Sequence, residues 1–422
     1  MGTMYFSLFS PLLLLLGFLV SVESITHWQD LQVLKDFKNS LESVSLTPGS
    51  CLSSWDFSVD PCDNLFSERF TCGFRCDLVV SGASRVTELS LDSAGYSGSL
   101  SSISWNLPFL QILDLSGNNF YGKIPESFSN LTRLTRLGLS RNWFSGQTPT
   151  SIGSLTNLEE LYLDNNILEG TIPASFNSLI SLKRLEVQSN KLNCMPFPEL
   201  SSLKNLSFLD VSDNFFSGKI PSSFPSSLVE ISMRNNSLEG NIPESFKNLG
   251  YLQVLDMSHN KLSDSVPSFL FNHPSLQQLT LSYNNFTSVQ SPSSSTIQSE
   301  LIAVDLSNNQ LQGFLPSFLA LMPKLSALSL ENNKLTGMIP TQFAIKTAVP
   351  GGAGFSPFER LLLGGNYLFG PIPVALMELK PGSADVRLNG NCLLWCPVTF
   401  FFCQGGDQKS RMDCKSFIPF IP

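Results

Sequence analysis

Charge is scarce in this chain. Only 14% of its 422 residues are charged, the net charge is −8, and Lys and Arg never cluster, which excludes the basic face that nucleic-acid binding requires. Histidine is scarcer still, with His27, His259 and His273 the whole supply, so a metal centre or an acid–base site built on imidazole lacks its material. No motif sets a nucleophile beside a base and an orienting group, and no catalytic residue, metal or cofactor is expected. After Val22 there is no apolar run long enough to span a membrane. "LLWCPVTFFFC" (393–403) is short and broken by Pro397, and the tail "CKSFIPFIP" is too short for a lipid-anchor signal. Cysteine is missing from most of the chain: eight of nine lie before residue 77 or after residue 391.

What is present begins with an apolar run, Phe6 to Val22, after a short polar start, with small residues at Val22 and Ser24. This reads as a secretory leader over 1–24, cut after Ser24, although its start carries no Lys or Arg. The mature chain is then expected to be soluble and outside the cell.

From residue 86 to 391 the chain is repetitive. "LQILDLSGNNFYGKIP" starts at Leu110, "LTRLGLSRNWFSGQTP" at Leu134 and "LEELYLDNNILEGTIP" at Leu158. The shared frame is L-x-x-L-x-L-x-x-N-x-L-x-G-x-I-P, with its Asn at 118, 142, 166, 190, 214, 236, 260, 284, 309, 333, 366 and 391, mostly 24 residues apart. That makes about 12 repeats, with Ala94 in the Asn place of a forerunner. In L-x-L the leucines point to one side of a strand and the x residues to the other. One short strand cannot bury its leucines alone, so the repeats must stack into a solenoid with a parallel sheet. The Asn falls where the chain leaves the strand, and its amide supplies both donors and an acceptor to backbone groups that the turn leaves unpaired. Gly permits the turn, Ile enters the core, and Pro directs the chain toward a short helical turn such as "ESFSNLTR".

The L-x-G-x-I-P portion ("FYGKIP", "LEGTIP", "FSGKIP", "LEGNIP", "LTGMIP", "LFGPIP") resembles the plant-specific class of leucine-rich repeats. The chain is similar to plant extracellular leucine-rich-repeat proteins, among them receptor-like proteins, receptor-kinase ectodomains and polygalacturonase-inhibiting proteins. The resemblance implies an α/β fold, a right-handed leucine-rich-repeat solenoid with a parallel concave sheet. It also implies recognition of proteins, peptides or wall fragments. Residues 25–85 and 392–422 are expected to be caps, because solenoid ends expose core leucines. In the first, Trp28, Leu31, Leu34, Phe37 and Leu41 have helical spacing, and Thr26 with Gln29 reads as a capping box. Cys51, Cys62, Cys72 and Cys76 at one end, and Cys392, Cys396, Cys403 and Cys414 at the other, permit three pairings each, between which sequence does not choose. The resemblance of "SWDFSVDPCDNLFSERFTC" to the family's N-terminal cap implies Cys62 with Cys72 and Cys51 with Cys76.

The outward x residues are where a ligand is expected. Arg136, Tyr162, Arg184, Glu186, Phe208 and Arg234 fall on neighbouring repeats and form a candidate patch, since aromatic residues beside arginine are the usual anchors of interfaces. Binding along a flank is the alternative. Sequons stand at Asn130, Asn205, Asn235 and Asn285. The frame breaks in three places: a nine-residue, Gly-rich excess between Asn333 and Asn366, a loop expected over 287–300, and a two-residue deficit before Asn236. Cys194 replaces the turn Gly of its repeat and is expected to be a buried, inert thiol. These readings converge on a non-enzymatic, secreted binding protein of cell-surface signalling or defence. Its partners would be an extracellular protein or peptide and a membrane receptor kinase, with no nucleic acid. An inhibitor of polygalacturonase-type enzymes and a wall-structural protein are the alternatives.

Overall fold

The computed structural model describes residues 25–193, 199–293, 298–348 and 355–417. Residues 1–24, where a leader is expected, and Cys194 lie outside them. A 14-stranded sheet runs the length of the solenoid. Apart from the first, which belongs to the N-terminal cap, its strands are three residues long, such as Ile112–Asp114, Arg136–Gly138, Glu160–Tyr162, Arg184–Glu186, Phe208–Asp210 and Glu230–Ser232. Each is the x-L-x of one repeat, with its central residue buried. All pairs are parallel except the first, where Phe74–Arg75 of the N-terminal cap pairs antiparallel with Glu88–Leu89. Equivalent residues stay level: Glu160 pairs with Arg184, Arg184 with Phe208, and Phe208 with Glu230. The two-residue deficit before Asn236 therefore leaves the sheet register intact and is absorbed outside it.

The asparagines bond as their spacing demands. Asn142 donates through Nδ2 to the carbonyls of Leu139 and Ser140 in its own turn and of Leu115 in the preceding repeat, while its Oδ1 accepts from the Phe120 N–H. Asn166, Asn190, Asn214 and Asn284 repeat the pattern. One buried amide thus replaces the backbone partners that two turns lack, and the solenoid propagates through it. The residue before the ladder Asn is left-handed whatever its type: φ is +52° at Arg141, +53° at Asn165 and +54° at His259.

A second set of short strands follows the ladder, including Asn119–Gly122, Trp143–Gln147 and Ile167–Gly170. The Gly of G-x-I-P lies at their ends with positive φ, and the side chain before the Ile of the preceding repeat rests on it. Phe314 lies so close to Gly337 (φ +88°) that a Cβ there would come within 2.5 Å of its ring. The convex side carries single 3-10 turns such as Glu126–Asn130 and Thr150–Ser154. In the Gly-rich excess this turn grows into an α-helix, Thr341–Ala348, and 349–354 lie outside the described residues. Within 287–300, Ser288–Val289 is a strand paired with Ser265–Val266 rather than loop, because Ser-Val of "LSDSV" (262–266) and Ser-Val of "FTSV" (286–289) stack there in place of G-x-I-P.

The N-terminal cap differs from expectation in three respects. Its helix α1, Trp28–Asn39, is capped by His27, whose Nδ1 accepts from the Gln29 N–H, not by a Thr26–Gln29 box. Thr26 is buried and bonded to Asp60 through both its N–H and its hydroxyl. Trp28 is exposed, and the helix buries Val33, Leu34 and Phe37 together with Asp30. The disulfides are Cys51–Cys72 and Cys62–Cys76, correcting the pairing that the resemblance implied. Here Cys72 sits beside Trp55, whose indole N–H donates to the Cys72 carbonyl, and that places it against Cys51 rather than Cys62. The C-terminal cap is closed by Cys392–Cys414 and Cys396–Cys403. Among the described residues no helix is long and apolar enough to cross a membrane.

Candidate binding surface on the concave sheet

The outer residues of six consecutive strands build a continuous half-buried surface. Arg136 stacks on the Tyr162 ring, with its guanidinium carbon 4.8 Å from the centroid, and pairs with Asp114 at 3.2 Å and Glu160 at 2.9 Å. The Tyr162 hydroxyl donates to Glu160 at 3.1 Å. Two strands further on, Arg184 lies 3.7 Å above the Phe208 ring and pairs with Glu186 at 2.7 Å. The two stacks share one cause. In a parallel sheet with about 4.8 Å between strands, an arginine in one repeat reaches the ring presented by the next.

Carboxylates outnumber cations. Asp114, Glu160, Glu186, Asp210 and Glu230 surround Arg136 and Arg184. Burial raises the Asp210 carboxyl above the ordinary range, against hydrogen bonds from Ser212 that lower it, with Glu186 and Asp213 raising it further. Burial also raises Glu230, opposed by Arg184 and reinforced by Asp210 and Glu186. For Arg136, desolvation is outweighed by Asp114, Tyr162 and Glu160, and its pKa rises. The surface is therefore pre-ordered and acidic, and it would welcome a cation from outside.

Of the six residues expected to bind ligand, Arg136, Tyr162, Arg184, Glu186 and Phe208 share this surface. Arg234 lies beyond its strand, exposed in the turn, and no ion pair or ring contact joins it to the others among the described residues. Asp210 and Glu230, the partners that set the charge of the patch, were not singled out because each looks like one more polar strand residue. The four sequon asparagines are exposed. Asn130 and Asn205 lie at convex turns, where their amides donate to the Ser104 and Ile180 carbonyls. Asn235 and Asn285 adjoin the ladder.

A second surface was not legible from the L-x-L columns. Toward the C-terminal end, the residues resting on or following the turn glycines become apolar and exposed: Phe314, Met338 and, at the cap, Leu394 and Trp395. Among the described residues no group of three or more His, Cys, Asp or Glu side chains is arranged to hold a metal.

Comparison with known proteins fits this architecture. Leucine-rich-repeat family models match residues 109–131 and 133–155, and residues 156–216, 226–286 and 274–335, together just over half of the chain. Over 103 residues the chain is 35% identical to the leucine-rich repeat receptor-like serine/threonine-protein kinase SKM1 of Arabidopsis thaliana, a stretch covering 24% of this chain and 9% of that protein. Among solved structures it is similar to the plant peptide hormone receptor RGFR1 in complex with RGF2, with TM-score 0.65, 30% identity, and coverage of 76% of this chain and 50% of that one. It is also similar to a TDR receptor, with TM-score 0.63, 31% identity, and coverage of 74% and 53%. The chain thus spans about half the length of these receptor structures and a small part of the curated kinase. The resemblance to receptor ectodomains supports a ligand-binding role for a fold typical of non-enzymatic binding proteins. By its repeats, its sheet and its relatives, the chain belongs to the leucine-rich-repeat family.

Proposed function

We propose that this protein is a secreted binding protein of plant cell-surface signalling or defence, and that its concave sheet receives an extended peptide, free or as part of a protein, bearing a basic residue. In this reading residues 1–24 are a removed leader and the sequons at Asn130, Asn205, Asn235 and Asn285 carry glycans. The observation that carries the proposal is the pair of arginine–ring stacks, Arg136 on Tyr162 and Arg184 on Phe208, set among surplus carboxylates. Rings held flat by a neighbour offer apolar area at little entropic cost. Asp210 and Glu230, raised by burial and by neighbouring carboxylates, gain most from an incoming Lys or Arg. The surface crosses six strands, about 24 Å, which an extended segment of about seven residues spans. Similarity to receptors solved with or without a peptide hormone supports the same reading. The exposed stripe of Phe314, Met338, Leu394 and Trp395 is a separate apolar face, and it is where a receptor kinase would dock to carry the signal onward.

Selection from a random-peptide library tests this. Enriched peptides should carry Lys or Arg next to apolar residues, and their affinity should fall at least roughly tenfold for Phe208→Ala and for Glu230→Gln. Binders indifferent to both substitutions, or enriched in acidic residues, would refute the assignment.

A further inference from the structure

A second ligand site stands on the flank of the solenoid, in the strands that follow the ladder. Tyr121 and Trp143 are register partners in the parallel pair of Asn119–Gly122 and Trp143–Gln147. Their chain neighbours Phe120 and Phe144 are fully buried, so alternation turns Tyr121 and Trp143 outward, and they are 42% and 57% exposed. Both polar ends are tied down by the protein itself. The Tyr121 hydroxyl donates to Glu42 at 3.0 Å. The Trp143 indole N–H donates to Asn119 Oδ1 at 3.3 Å, and the same Asn119 amide donates to the Gly95 carbonyl at 3.1 Å. What the two rings have left to offer is apolar surface, held in place.

Past the next register pair, Gly122 and Phe144, a groove of about 760 Å³ opens, and Ser101, Lys123, Glu126, Gln147, Thr150 and Glu169 are among its lining residues. It runs from the edge of this second sheet to the starts of the convex turns at Glu126 and Thr150. The combination of an aromatic shelf with a groove of hydroxyl, amide and carboxylate groups identifies its occupant. A pyranose ring has an apolar C–H face that packs on an aromatic ring and a rim of hydroxyls that need donors and acceptors. The spacing of the two strands, about 4.8 Å, sets the rings close to the step from one sugar unit to the next. Lys123 is outnumbered by Glu42, Glu126 and Glu169, so an anionic polyuronate would meet like charge. A protein partner would require a contiguous apolar centre, and between residues 97 and 171 Tyr121 and Trp143 are the only large exposed apolar side chains. The apolar stripe near the C-terminal cap has the opposite character, which separates the two surfaces chemically.

We propose that this shelf and groove bind a neutral polysaccharide, a β-linked glucan chain lying across Tyr121 and Trp143. Such a site would hold the protein on wall polymer while its concave sheet remained open. Affinity electrophoresis of the full chain through gels containing xyloglucan, hydroxyethylcellulose or polygalacturonate tests it. At least one neutral glucan should retard the protein. Trp143→Ala and Tyr121→Ala should each weaken the apparent affinity at least roughly tenfold, Trp143→Phe should weaken it less, and Phe208→Ala on the concave sheet should leave it unchanged. Both side chains are exposed, so thermal midpoints should not move, and that measurement separates lost binding from lost folding. The proposal is overturned if no neutral glucan retards the protein, if Trp143→Ala migrates as wild type, or if only polygalacturonate retards it. It is equally overturned if Trp143→Ala loses a protein partner while glucan binding is absent. Because Phe208→Ala is tested alongside, failure of the glucan site and failure of the concave peptide site are read separately.

Discussion

Replacing Asp30 by Ala should detach the N-terminal helix from the solenoid. Asp30 is fully buried in α1, and Arg85, at the start of the first coil, is almost as buried. The guanidinium donates twice to the carboxylate, at 2.9 and 2.6 Å, and the Val86 N–H donates to it at 2.8 Å. Removing the carboxylate leaves a buried charge whose remaining support is the Phe109 ring, 4.4 Å away, and leaves the Val86 N–H without its acceptor. Stranding one member of a buried pair costs about 3–5 kcal/mol. No cysteine lies in α1, so neither cap disulfide restrains it. The loss should therefore appear as local opening that exposes Val33, Leu34 and Phe37, ahead of the repeats, because a solenoid unfolds in units joined by nearest-neighbour contacts. Native-state hydrogen exchange of the α1 amides, with urea denaturation followed by circular dichroism, would measure it. Exchange protection in α1 should fall by a factor on the order of 100 to 5,000 while protection in the central repeats is kept. The double replacement Asp30→Leu with Arg85→Met removes both charges and should recover most of that loss. If the single variant stays within about 1 kcal/mol of wild type, or if the double variant is as damaged as the single, the pair is not what holds the helix.

Two further predictions concern titration. His273 occupies the core position that other repeats give to Leu and is buried; burial lowers its pKa, partly offset by a hydrogen bond to the Phe246 backbone. The unfolded chain therefore takes up the proton first, and the stability held above about pH 6.5 declines as pH falls through the lowered folded value. His273→Leu should remove this component, so the difference in thermal midpoint between variant and wild type should widen from pH 7.5 to 4.5, and a constant difference would refute it. Lys346, in the helix Thr341–Ala348, is buried, donates to the Met322 carbonyl, stacks on Phe358, and burial lowers its pKa to about 8. Wild-type stability should rise with pH between about 8 and the ordinary lysine value near 10.5, because only the unfolded chain keeps the proton there. Lys346→Met should stabilise the protein at pH 7 by about 2 kcal/mol after the lost hydrogen bond is counted, and denaturant midpoints showing a loss instead would refute that reading.

Much of this was legible in advance because a repeat states its rule many times. The L-x-L frame named the buried residue of each strand, and the constant offset of Asn142, Asn166 and Asn190 named their role before any bond was seen. The caps obey no repeat, and there the reading faltered. His27 displaced Thr26 as helix cap because Thr26 was needed by Asp60, 34 residues away. The cysteines paired according to where the Trp55 indole, bonded to the Cys72 carbonyl, placed them, not according to their spacing. On the concave sheet, Arg136, Tyr162, Arg184, Glu186 and Phe208 were correctly brought together because strand register carries alternation from one repeat to the next. Arg234 failed because the same alternation ends at the strand, two residues earlier. Tyr121 and Trp143 went unnoticed because they stand three residues and one residue after their ladder asparagines, at two positions whose identity varies along the chain and which only the strand register brings opposite one another.

The sequence by itself therefore determined the periodic part of this protein: a stacked solenoid, its leucine core, its amide ladder and the columns that face outward. Those follow from local chemistry, since a three-residue strand and a turn with unpaired backbone groups have one economical way to be satisfied, repeated in every coil. Only the tertiary structure decided which outward residues touch, which charges remain in surplus, how the cap cysteines pair, and that Tyr121 and Trp143 come into register on the flank. Those depend on distances between residues far apart in the chain, which are set by the pitch and register of the whole stack and by cap contacts that occur once.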